Sequence, residues 1–163
     1  FIDSGILEPQ TTKPSVAPSM DIQIPSSLER LIYDFELDAS SFYQDLNENK
    51  KGTLSEGSRE KLQHIFSSQT FDDEKIKEEI KTFNDLFNIV FDPHTVTSLR
   101  MAIDINSSVP TVAVATASPD KFSNVISPII EDFRVSESDK DEDFETLGPQ
   151  KVQIIESIKA KFS

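Results

Sequence analysis

A chain of 163 residues has the length of about one domain. Its 29 acidic against 16 basic residues leave a net charge of −13, which repels phosphate backbones and anionic membrane surfaces and argues against nucleic acid as a partner. There is no cysteine, which excludes disulfides and thiolate metal sites, and no apolar run approaches the ~20 residues of a membrane span.

The opening residues, Phe1-Ile-Asp-Ser-Gly5, carry no methionine, no basic n-region and no apolar h-region, and they read as the interior of a longer polypeptide. Pro9, Pro14 and Pro18 among Ser and Thr suit an extended surface segment. From Pro25, Leu28, Leu31, Ile32 and Phe35 fall at helical spacing, with Ser26 or Ser27 as cap. A short helix is predicted over 39–46, closed by the Asn/Lys/Gly-rich turn 47–52, and another over 56–66 through Leu62, Ile65 and Phe66. The strongest periodicity lies in 72–91, where Ile76, Ile80, Phe83, Leu86, Phe87, Val90 and Phe91 recur every three or four residues and Glu and Lys fill the other face. Asp92 and Pro93 then restart a helix as cap and first residue, carrying Val96, Leu99, Ala102 and Ile103 inward and ending near Asn106.

The most informative stretch is 111–122. Thr111-Val-Ala-Val-Ala-Thr116 has the composition of a strand buried on both faces, followed by Ser118 as an N-cap and Pro119 at the first position of a helix predicted over 119–130. Thr116 and Ser118 would therefore stand at the carboxyl end of a strand, facing a helix start, where open α/β sheets bind their ligands. The bland reading also stands: Thr116 as a β-branched strand residue whose hydroxyl bonds to backbone, and Ser118 as a cap. A single strand makes no sheet, so its neighbours are expected in a part of the protein outside this sequence. Residues 131–147 are strongly acidic and read as a solvated linker, and 150–162 as a last amphipathic helix with Val152, Ile155, Ile158 and Phe162 on one side.

Other signals are weaker. The stretch 45–56 has oxygen donors at calcium-loop spacing, but Lys50 stands where such a loop needs glycine, so a surface loop closing a helix is expected. Asn106-Ser-Ser108 matches a glycosylation triplet, a pattern that arises often by chance. His64 and His94 have no third nitrogen ligand, so no zinc site is predicted.

Three motifs occur in order: Met20-Asp-Ile-Gln-Ile-Pro-Ser-Ser-Leu-Glu-Arg-Leu-Ile-Tyr33, Asp92-Pro-His-Thr95, and Ala115-Thr-Ala-Ser-Pro-Asp-Lys-Phe122. Together they resemble the carboxyl-terminal part of the threonine synthase family. The departures are Ser27 for an asparagine, Leu28 for an aromatic, Ser98 for a glycine, Ser118 for a histidine and Asp120 for an alanine. The resemblance implies an α/β fold: the carboxyl-terminal part of a fold-type-II, tryptophan-synthase-β-like enzyme. In that frame this is a helix-rich fragment with at least one buried strand, 111–116. It divides the chain into 1–130 as enzyme domain, 131–147 as acidic linker or loop and 148–163 as terminal helix.

The resemblance further implies pyridoxal 5'-phosphate (PLP) as cofactor, O-phosphohomoserine as small-molecule substrate, the missing amino-terminal part of the same protein as partner, neither nucleic acid nor membrane as partner, and a cytoplasmic lyase making threonine. The family's Schiff-base lysine and glycine-rich phosphate cup lie in that amino-terminal part, so no catalytic residue is expected here and the fragment alone is expected to be inactive. Thr116 would face the pyridine nitrogen, and Ser118 would cap its helix or touch cofactor or substrate. His94 packs locally or shapes the site, and Asp21 could form an ion pair with Arg30 near the entrance. A catalytically inactive binding or regulatory protein of the same fold, favoured by Ser98 and Ser118, and a plain acidic helical scaffold are the alternatives.

Overall fold

Two small cores organise the residues described by the structure, a computed structural model: 1–35 and 39–136. The first core is built by β1 (Ile6–Leu7), α1 (Ser26–Asp34), α2 (Ala39–Asn49), β2 (Gly52–Thr53) and α3 (Glu56–Gln63). Leu28 and Ile32 lie one turn apart on α1, as do Phe42 and Leu46 on α2. These two stripes meet Leu62 of α3 and exclude water together. β1 and β2 pair antiparallel, Ile6 opposite Thr53 and Leu7 opposite Gly52. Glycine at 52 has a steric reason: a Cβ there would sit 2.6 Å from Phe42 Cζ.

The second core contains α4 (Asp73–Phe87), α5 (Pro93–Ile105), a 3-10 turn at Pro119–Phe122 and α6 (Ser123–Ile126). Ile76, Ile80 and Phe83 of α4 pack with Val96 of α5, Ile126 of α6 and Ala17, which precedes a 3-10 turn at Pro18–Asp21. α5 follows its sequence signals closely. Asp92 caps it by accepting the His94 N–H at 2.9 Å, Pro93 opens it, and Asn106 closes it in the left-handed conformation, φ 46.

Several elements differ from the sequence reading, each for a visible reason. Segment 111–116 is not a buried strand: no ladder pairs it among the described residues, and Val112 is 83% exposed. Strand composition cannot bury a segment whose sheet neighbours are missing, because pairing is non-local. The predicted helix over 119–130 breaks into the 3-10 turn and the short α6, since Pro128 cannot donate into a helical ladder. α4 stops at Phe87 because Asn88 turns left-handed, φ 52; Leu86 and Phe87 stay exposed, whereas Val90 and Phe91 still pack on the core. α5 likewise leaves Ile103 exposed. α3 ends at Gln63, burying Leu62 but leaving Ile65 outside, and α2 continues past Leu46 to Asn49. The cap of α1 is Pro25 rather than either serine. Of the acidic segment 131–147 only 131–136 is described, and the helix read over 150–162 lies outside the described residues.

One electrostatic tie joins α5 to the segment leading into α4. Asp104 accepts from Arg100 Nε at 2.9 Å and from Gln69 Nε2 at 3.0 Å. The Arg100 guanidinium, with help from Gln69, holds the Asp104 carboxyl down at about 2, against an ordinary value near 3.8. A depressed folded value stabilises the fold above the ordinary carboxylate range, and that contribution disappears as pH falls through about 2. Carboxyl NMR titration should therefore find Asp104 near 2, and Arg100→Ala should return it toward 3.8. In urea melts, Gly52→Ala should cost about 1–3 kcal/mol by driving a methyl into the Phe42 ring.

Candidate functional site

The α5 N-terminus collects most of the buried polar groups of the second core. Pro93 fixes the first helical residue, so the next two side chains fold back over the Asp92 cap. Asp92 is 1% exposed, and His94, Thr95 and Thr97 are buried around it. One oxygen of Asp92, Oδ1, accepts from the His94 N–H and from His94 Nδ1, both at 2.9 Å; the other, Oδ2, accepts from the Thr95 hydroxyl. The far ring nitrogen, His94 Nε2, receives the Ser19 N–H at 3.2 Å. A donor at Nε2 requires a lone pair there, so the ring proton sits on Nδ1 and is given to Asp92. The edge of Phe122 closes the ring side, with centroids 5.0 Å apart.

This polar knot joins three distant stretches of chain. Ser19 brings in the 3-10 turn at Pro18–Asp21, α5 supplies the centre, and the Thr116 N–H reaches Thr95 Oγ1 at 3.4 Å. Thr116 is exposed, at the end of the extended segment 111–116. Ser118, two residues on, caps the Pro119–Phe122 turn by accepting the Asp120 N–H at 3.3 Å. Asp120 in turn holds Ser136 by its backbone N–H at 3.3 Å and by its hydroxyl, and that hydroxyl is the chief reason the Asp120 carboxyl lies below its usual range.

Among the residues singled out in the sequence, His94 and Thr116 are thus linked through Thr95. Asp21 accepts the Ser15 N–H at 2.9 Å and makes no ion pair with Arg30. It lines, with Ser98, Thr97 and Met101, a cavity of about 560 Å³ between the Pro18–Asp21 turn and α5. Ser98, the residue in place of the family's glycine, gives its hydroxyl to the Thr95 carbonyl at 2.8 Å. Sequence reasoning named Thr95 only as part of a motif and Asp92 only as a cap, and gave neither its place in this cluster. The signal was present: an acid at a helix cap with His two and Thr three residues later places two donors within reach of one carboxylate. No cluster of three or more His, Asp or Glu able to hold a metal occurs among the described residues.

Comparison with known proteins adds the family. No family model matches the chain. A threonine synthase from Pseudomonas aeruginosa is 30% identical over 132 residues, 77% of this chain and 28% of that protein. The solved structure of a PLP-bound threonine synthase from Brucella melitensis superposes with a TM-score of 0.73 at 28% identity, covering 78% of this chain and 29% of that one. The chain is a threonine-synthase-like segment.

Threonine synthase from yeast also superposes with a TM-score of 0.73, over 86% of this chain; its 24% identity attests the fold. A threonine synthase of Saccharomyces cerevisiae is 23% identical and spans 99% of this chain, 35% of its own length. The chain therefore covers about a third or less of the threonine synthases it matches. The shared part is too large to fall within one of the two cores, so the α/β likeness to threonine synthase extends across both.

Removing the central carboxylate should be expensive. Asp92→Ala leaves three buried donors without an acceptor and should cost about 2–4 kcal/mol in chemical denaturation, while Asp92→Asn, which keeps an accepting oxygen, should cost clearly less.

Proposed function

We propose that this chain is the carboxyl-terminal part of a cytoplasmic threonine synthase, and that the complete protein uses PLP to convert O-phospho-L-homoserine and water to L-threonine and phosphate. The observation that carries the proposal is the superposition on a PLP-bound threonine synthase at a TM-score of 0.73 and 28% identity. The chain spans 29% of that enzyme. In keeping with the family resemblance, the imine-forming lysine and the glycine-rich phosphate cradle are read as belonging to the family's amino-terminal part.

The residues present fit one wall of such a pocket. Thr116 lies on an exposed edge, with its backbone N–H anchored to Thr95 and its hydroxyl available. PLP, when bound, supplies an electron-withdrawing ring that stabilises negative charge on the substrate carbons next to nitrogen. A neutral hydroxyl at 116 can share a hydrogen bond with the ring nitrogen without the charge that a carboxylate would bring there. Ser118 shapes the shoulder of the same edge: its oxygen accepts from Asp120 N–H, and its hydroxyl is also engaged by the Asp120 carboxylate. His94 supports the wall from behind by holding Ser19 against α5, while Asp21 closes the 15–21 segment on itself through the Ser15 N–H. Lys121 belongs to the Pro119–Phe122 turn that follows this edge and is read as a helix-flank residue, not as the imine lysine. The described glycines, Gly5, Gly52 and Gly57, do not flank the edge in sequence.

A charge of −13 agrees with a small-molecule substrate rather than nucleic acid, and no helix among the described residues is long and apolar enough to cross a membrane. The direct test is phosphate release from O-phospho-L-homoserine by the purified complete protein. Thr116→Val should lower kcat about tenfold, the worth of one hydrogen bond of about 1–1.5 kcal/mol, with unchanged thermal stability. PLP uptake without any phosphate release would instead identify an inactive relative acting by binding.

A further inference from the structure

Thr95 stands where the buried knot meets the exposed edge. Its hydroxyl has one proton, and Asp92 Oδ2 takes it. The oxygen is then left to accept, and the donor aimed at it is the Thr116 N–H, 3.4 Å away. Asp92 cannot turn aside to release Thr95, because its other oxygen is held twice by His94, and the His94 ring is held in turn by the Ser19 N–H and the Phe122 edge. The bond therefore has a rigid, buried foundation on the α5 side and a weakly constrained partner on the other. Segment 111–116 makes no ladder bonds among the described residues, so this contact is what registers the edge before the turn at Pro119–Phe122. In extended chain a slip of one residue turns a side chain to the opposite face, so an anchor on the backbone of residue 116 decides where its hydroxyl points.

We propose that Thr95 is a positioning residue for Thr116, fixing through the Thr116 backbone the approach of the Thr116 hydroxyl to the cofactor ring. This rests on the reading of Thr116 as a cofactor contact. Asp92 and His94 orient Thr95 and do not themselves reach the ring. Serine at 95 preserves the anchor, valine preserves the shape without it, and cysteine keeps a similar volume with a sulfur that accepts hydrogen bonds poorly.

The test uses the complete protein, titrated with PLP and followed by the absorption and fluorescence of the bound cofactor, with amide exchange read at residue 116. Thr95→Val should raise the apparent Kd for PLP about tenfold, move the spectrum of the bound cofactor and speed exchange of the Thr116 amide, whereas Thr95→Ser should restore all three. If the valine variant does not fold, Thr95→Cys is read in its place and should move the same three quantities in the same direction. Wild-type affinity and spectrum in a folded valine or cysteine variant overturn the positioning role while leaving the cofactor reading intact. A wild-type protein that takes up no PLP overturns both.

Discussion

Three donors converge on the Asp92 carboxylate: a backbone N–H, an imidazole N–H and a hydroxyl. A carboxylate buried to 1% exposure is tolerable only because each of its oxygens is engaged, and the same engagement makes it a junction. Segment 15–21, the start of α5 and the chain around residue 116 are far apart in sequence, yet each contributes one side of this cluster. The apolar packing of Ile80, Phe83, Val96 and Ile126 brings these stretches into proximity, and the polar cluster determines their relative registration. Hydrophobic attraction is non-directional, whereas a bonded carboxylate also fixes which donors face it.

The surface tells the complementary story. Val112 and Val114 project from the extended segment, and Leu86, Phe87 and Ile89 from the end of α4, with more than half of each exposed. Apolar side chains scattered singly are ordinary on a protein surface, whereas here two exposed valines share one extended segment that no ladder pairs among the described residues.

What the sequence disclosed and what it withheld divide along the range of the interactions involved. The caps of α5 were legible at both ends, because an Asp-Pro start and an Asn stop act within a turn of the helix. The core of α4 was legible in Ile76, Ile80 and Phe83, but its end was not, since the stripe continues in sequence while Asn88 breaks the backbone. Segment 111–116 was read as a buried strand from residue type alone, and composition carries no information on whether a pairing partner is present. At the candidate site the residues of the motifs were legible, whereas the bond from Thr95 to residue 116 was not, because nothing in either motif announces contact across 21 positions.

The short β1–β2 pair has a bearing on how the molecule assembles. It joins residues 6 and 7 to 53 and 52, enclosing α1 and α2 within one long loop. Helix caps form within a few residues of one another, but this ladder closes only after some forty-five intervening positions have been gathered, with an entropy loss that grows logarithmically with that span. Phe1, whose ring meets Phe42 edge-on, travels with the same strand. Residues 1–7 thus close the first core as a clasp, through a contact of high sequence separation.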